Sequence, residues 1–190
     1  MSELLFSEPD LIELLRADLH RHDELLSKGP RQGLRLWLGM LSPRFMPVLL
    51  YRLAYASQAA HLGVLARMIS LLNFMIFGLE IATICRIGPG LFLPHTQGTV
   101  IGAASIGANA IIYQGVTLGA RDLDFSYDIA HRPTLGDDVM VGAGGKVLGG
   151  VRVGHRVRVA ANAVLLTDAP DNSIAAGVPA RIIAQRGEEG

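Results

Sequence analysis

The sequence predicts a mainly β protein, a parallel β-helix built from six-residue repeats, with an N-terminal α-helical region before it. Three observations carry that prediction. Half of the 190 residues are hydrophobic but only 6% are aromatic, so the apolar content is small and aliphatic, and there are 22 glycines. That mix suits many short, tightly turned strands. The second observation is a beat of branched aliphatics every sixth residue. It runs Ile81, Ile87, Leu93 and, after one extra residue, Val100, Ile106, Ile112, Leu118; it resumes at Leu135, Val141, Val147, Val153, Val159 and Leu165. The third is what accompanies each beat. Glycine or alanine often follows it (Gly88, Gly107, Gly136, Gly142, Gly154, Ala160), and the fifth position of a hexad is small or β-branched (Cys85, Ala104, Ala110, Val116, Val139, Val151, Val157, Ala163). Internal repetition at this period marks a parallel β-helix. Each hexad gives a short strand and a turn, the beat residue points inward, and stacked coils pair their backbones.

Residues 1–79 read as a helical packing and assembly region. Ser7 and Asp10 stand at capping-box spacing, with Pro9 early, ahead of Leu11, Ile12, Leu14, Leu15 and Leu19. Gly29-Pro30 stops that helix. Ser42-Pro43 opens a second helix through FMPVLLYRLAYASQAA, and a third runs from about His61 to Phe77. The stretch Leu62 to Leu79 is about as long as a membrane span, but Arg67 and Asn73 inside it favour a buried or partner-facing helix. His20 and His22 read as surface residues of the first helix, and His155 as an exposed turn residue.

Charge and cysteine content narrow the partners. Seventeen basic and seventeen acidic residues cancel, so nucleic acid is not expected. Cys85 is the single cysteine, which excludes an internal disulfide and points to a reducing compartment. The acidic N-terminus MSELLFSEPD lacks a signal-peptide pattern, so a cytoplasmic protein without a membrane span is expected.

The β-helix is expected over 80–184, with 185–190 a flexible tail. Its beat breaks at GARDLDFSYDIAHRPT, and residues 119–133 read as an insertion loop of the kind repeat folds carry on a binding face.

The segments EIATICRIGPGLFLPHTQGTVIG, IIYQGVTLG, PTLGDDVMVGAGGKVLGGVRVG and AAGVPARII resemble the hexapeptide acyltransferases, and within them the serine O-acetyltransferase branch, over roughly residues 73–184. The resemblance implies a left-handed β-helix, a homotrimer or dimer of trimers with active sites between subunits, and acetyl-CoA as co-substrate. It implies His95, in LPHTQG, as the general base that removes the acceptor's proton. It implies Glu80 as the acidic partner of that base, where the serine enzymes carry aspartate. Gly119, Ala120, Ala143, Lys146, Ala161 and Arg181 match places that cradle the cofactor, and His131 and Arg132 of the loop are candidates for binding a small-molecule acceptor. No two histidines show the close pairing of the zinc sites in β-helix carbonic anhydrases, so no metal is expected.

Two departures from the serine enzymes concern the acceptor. Pro94 stands where they have aspartate, and His131-Arg132-Pro133 stands where they have Arg-His-Pro. The expectation is therefore O-acetylation of a sugar or sugar derivative. Serine O-acetylation is the alternative, and a non-catalytic β-helix scaffold is the reading from another class.

Overall fold

The computed structural model describes residues 10–27, 29, 38–124 and 126–184. Ser7, Pro9, Pro30 and the expected tail at 185–190 lie outside the described residues.

Helix α1 spans Leu11–Leu25 and buries Leu14, Leu15 and Leu19 along one face. Asp10 is its N-cap residue, without a side-chain cap hydrogen bond. Helix α2, Met46–Ala59, starts later than Ser42-Pro43 implies. A turn intervenes, in which the Phe45 amide bonds the Ser42 backbone oxygen and hydroxyl, and Pro47 then occupies the first helical turn. Helix α3, Gly63–Phe77, ends on Gly78 at φ +60°, a conformation that glycine adopts without a Cβ clash. Asn73 is buried because its side-chain amide donates to the Pro47 carbonyl at 3.0 Å, which fastens α3 to α2. The outer face of α3 exposes Val64, Leu65, Met68, Leu71, Leu72 and Met75. Among the described residues no helix is long and apolar enough to cross a membrane.

The strands follow in five stacked coils. They are β1 (Leu79–Ile81) and β2 (Arg86–Ile87); β3 (Thr99–Ile101), β4 (Ser105–Ile106) and β5 (Ile111–Ile112); β6 (Thr117–Gly119), β7 (Thr134–Leu135) and β8 (Met140–Val141); β9 (Lys146–Leu148), β10 (Arg152–Val153) and β11 (Arg158–Val159); and β12 (Val164–Leu165) with β13 (Ser173–Gly177). Strand β14, Ala180–Ala184, turns back antiparallel onto β13. All other pairings are parallel and make a three-faced prism. Its first face is β1-β3-β6-β9-β12, its second β2-β4-β7-β10 and its third β5-β8-β11-β13. Phe92, bridged to Ile111, extends the third face into the first coil.

The beat residues fill the interior, with one correction. Val100 points outward and is 37% exposed, while Ile101 is buried; likewise Ala103, not Ala104, is buried. Strand β3 pairs Ile101 with Ile81 and Val100 with Glu80, so twofold strand alternation sends Val100 out beside Glu80. The turn at 94–98 takes up more chain than the other turns, and the hexad register returns at Ile106. His22 is also corrected: it is buried, edge-on to Phe45 and Phe92. His20 is exposed.

Candidate active site

The expected residues fall along two edges of the first face. One edge joins the third face to the first and carries His95, in the turn between Phe92 and β3. The other joins the first face to the second and carries the insertion loop, between β6 and β7.

On the histidine edge, the turn Pro94–Gly98 is tied to the end of α3. The Thr96 hydroxyl donates to the Phe77 carbonyl at 2.8 Å, and the Gly98 amide donates to the Gly78 carbonyl at 3.0 Å. These carbonyls belong to a helix end that has no further turn to pair them. His95 itself is exposed. Glu80 takes the outward position of β1 and is also exposed. No hydrogen bond or ion pair joins the two side chains in the single chain. Further along the same edge, Ala143 and Ala161 occupy successive turns. The Ala143 carbonyl accepts the Asn162 amide at 2.8 Å, and a Cβ added to Gly142 would lie 2.7 Å from the Ala161 nitrogen. Small residues are needed here because consecutive coils touch through their backbones. Lys146 opens β9, and its ammonium donates to the Gly115 carbonyl in the turn between His95 and Ala143. From the His95 turn to the Ala161 turn the edge rises three coils, about 14 Å, which suits a long, narrow ligand. Arg181 lies past that end, exposed on β14.

On the loop edge, a cleft of about 450 Å³ is lined by Ala120, Arg121, Asp122, His131, Leu148 and Gly150, among others. Neither His95 nor Glu80 lines it. Gly119 sits at its approach, and an added Cβ there would meet nothing within 4 Å, so a ligand has room against this backbone. His131 is exposed, its Nδ1 3.7 Å from an Asp128 carboxylate oxygen. Arg132, expected to bind acceptor, is committed to the loop itself. Its Nε and Nη2 donate to one Asp124 oxygen at 3.1 and 2.8 Å, its Nη1 donates to the Gly102 carbonyl at 3.0 Å, and its guanidinium lies 3.6 Å from the Tyr127 ring centroid. The Tyr127 hydroxyl in turn donates to the Ala103 carbonyl at 3.0 Å.

This latch has a definite pH dependence. Desolvation would raise the Asp124 pKa, but hydrogen bonds from the Ser126 hydroxyl, the Asp128 amide and Arg132, with the Arg132 charge, lower it to about 2. The folded value lies below the ordinary carboxylate value. The stabilisation from the Asp124 charge is therefore complete above pH 4 and is lost as pH falls through about 2. The Arg132 Nε proton is expected to stay protected from exchange between pH 8 and pH 4, measured by NMR. Loss of protection already near pH 5 would mean that Asp124 is not held in this way.

Residues 134–167 match the family model "Hexapeptide repeat of succinyl-transferase". A serine acetyltransferase of Helicobacter pylori strain J99 is 40% identical over 164 residues, 86% of this chain and 94% of that protein. One from Synechococcus elongatus is 38% identical over 158 residues, 83% of this chain and 63% of the relative. Among solved structures, a serine acetyltransferase in complex with CoA superposes with a TM-score of 0.78 at 28% identity, covering 93% of this chain and 71% of the other. The serine complex of the Neisseria gonorrhoeae enzyme superposes with a TM-score of 0.76 at 27% identity, covering 93% and 70%. The fold is the left-handed parallel β-helix that the resemblance implies.

Nothing in the sequence pattern marks Thr96, Asp18 or Arg52, whose partners lie 19 to 73 residues away. Asp18 and Arg52 stand at charged positions of amphipathic helices, and helical spacing does not name a partner. A parallel β-helix with a glycine-lined histidine edge, an insertion at one corner and 40% identity to a relative matched almost end to end leave one assignment: the chain belongs to the serine acetyltransferase family of hexapeptide-repeat acyltransferases.

Proposed function

We propose that this chain transfers the acetyl group of acetyl-CoA to the hydroxyl of serine, with His95 as general base. The observation that carries the acceptor is the 40% identity to a serine acetyltransferase that the chain covers over 94% of its length. The sugar acceptor expected from Pro94 and the His131-Arg132 order finds no support among these relatives. Arg132, whose exchange with His131 partly motivated that expectation, is taken up by Asp124 and Tyr127 and does not point free into the cleft.

Acetyl-CoA, when bound, supplies an acyl group already activated as a thioester, so the protein needs no covalent nucleophile. The narrow line of Ala143, Ala161 and the Gly115 turn suits its long arm, and Gly119 leaves room for close backbone approach. His95, exposed at the head of this line, removes the hydroxyl proton as the new ester bond forms. Glu80, one strand away on the same side, orients the imidazole and balances the positive charge it gains. Lys146 and Arg181 are placed along or beyond the line to meet phosphate. His131 and its cleft lie on the opposite border of the first face. A second copy that brings its loop edge against the histidine edge would close one site from both, the arrangement of a cyclic trimer.

The test is release of CoA thiol with serine, homoserine, simple sugars and nucleotide sugars. Cys85 adds little background, because burial pushes its thiol up to about 12. Turnover with serine and none with the sugars is expected. Turnover with a sugar alone would overturn the acceptor, and absence of both turnover and CoA binding would favour the scaffold reading.

A further inference from the structure

We infer that the helical region is a positioning device for His95, and that Thr96 is its working contact. The inference rests on the reading of His95 as the base. Chain flanking His95 is fixed by the helices on both sides. Upstream, the Asp18 carboxylate of α1 accepts the Gly90 and Leu91 amides at 2.8 and 2.9 Å, and Arg52 of α2 donates to the Ile87 and Gly88 carbonyls. Leu91 and Leu93 are then buried in the prism, and Pro94 restricts its own φ. Downstream, Thr96 caps the last carbonyl of α3, that of Phe77, and Gly98 the carbonyl of the cap residue Gly78. A Cβ on Gly78 would clash with the Gln97 side-chain amide oxygen, so helix end and turn are in direct contact.

His95 is exposed and makes no hydrogen bond of its own among the described residues, so its backbone must be set from outside. Thr96, the next residue, is the one side chain of the turn that reaches the helix end by a hydrogen bond. A turn held this way presents the imidazole to the acceptor without first losing conformational freedom, and displacement by about 1 Å is enough to slow a reaction roughly a hundredfold. Thr96 is therefore a positioning residue, and it touches neither substrate. The capping bond also makes α3, with its outward apolar face, part of the support of the catalytic turn.

The experiment is a double-mutant cycle in the full chain, with kcat, the KM values for acetyl-CoA and serine, the pH profile and the Tm read for each variant. Thr96→Val keeps the shape and removes the donor. It should lower kcat about 10- to 100-fold, leaving both KM values, the shape of the pH profile and the Tm close to wild type. Thr96→Ser, which keeps the hydroxyl, should restore most of the rate. In the His95→Ala background Thr96→Val should cost nothing further, because it acts through the imidazole. Wild-type kcat in Thr96→Val, or an equal further loss in the His95→Ala background, overturns the inference. If Thr96→Val proves unfolded, a Thr96→Ser enzyme with the Thr96→Ala rate overturns it. Full activity in His95→Ala alone instead removes the base assignment, whatever Thr96 does.

Discussion

Replacing His95 with alanine is expected to slow acetyl transfer by roughly a hundred- to ten-thousand-fold while leaving CoA binding nearly intact. The effect is chemical because the side chain has no packing to lose. His95 is exposed in its turn, and the hydrogen bonds that hold the turn come from Thr96, Gly98 and Gln97. The candidate cofactor contacts, Ala143, Lys146 and Ala161, lie in other turns, so the donor should still bind. On the proposed mechanism what is lost is the acceptor for the hydroxyl proton in the transition state, and such a loss appears in kcat and kcat/KM together. Glu80→Gln should cost less, because it removes the counter-charge and leaves the base. The measurements are steady-state kinetics and a CoA titration on each variant. His95→Ala turning over near the wild-type rate would take His95 out of the mechanism.

The β-helix was readable because each inward position has one requirement, a branched aliphatic side chain, repeated at a fixed interval. Where coil geometry departs from that interval the reading slips. At 94–98 the chain forms a wider turn, and a rule counting sixes assigns Val100 inward when Ile101 is the buried residue. His95 is proposed as the base on resemblance alone; nothing in the hexad pattern marks a turn residue as a base. The tertiary polar network was not readable at all. Asp18 and Arg52 look like ordinary charged positions of two amphipathic helices, and His22 like a third, because helical spacing says which residues share a face and not what will cover it. The same holds for Arg132. Resemblance marks its position as one that contacts acceptor, and nothing in the spacing says that its guanidinium meets Tyr127 and Asp124, brought round by the loop's own path. The acceptor is hard to read for a related reason. Pro94 removes a carboxylate, which argues against serine if it is a loss of binding only, yet a proline there also stiffens the turn that presents His95.

Arg52→Met is expected to destabilise the protein by about 3–5 kcal/mol, as does breaking one partner out of a buried ion pair. For a chain of this size that lowers the Tm by about 6–20 °C. Arg52 is 1% exposed and Asp18 0%, and the guanidinium meets the carboxylate in a two-pronged contact at 2.8 and 3.0 Å. Methionine fills much of the volume but leaves Asp18 without its counter-ion and the Ile87 and Gly88 carbonyls without donors. Burial already pushes the Asp18 pKa up against the pull of Arg52 and the two backbone amides. Without Arg52 it rises further, so the folded state favours the protonated acid. The penalty should therefore be smaller near pH 4 and grow as pH rises. The informative control is Asp18→Leu combined with Arg52→Met. Buried pairs that touch only each other are often replaced by apolar side chains at no cost. This pair also serves four backbone groups, the Gly90 and Leu91 amides and the Ile87 and Gly88 carbonyls. Each buried group left unpaired costs about 1–3 kcal/mol, so the double variant should stay well below wild type. Thermal and urea unfolding at one fixed protein concentration measure this. Wild-type stability in the double variant would mean that the pair matters only as two charges and that the helices do not hold the first coil through it.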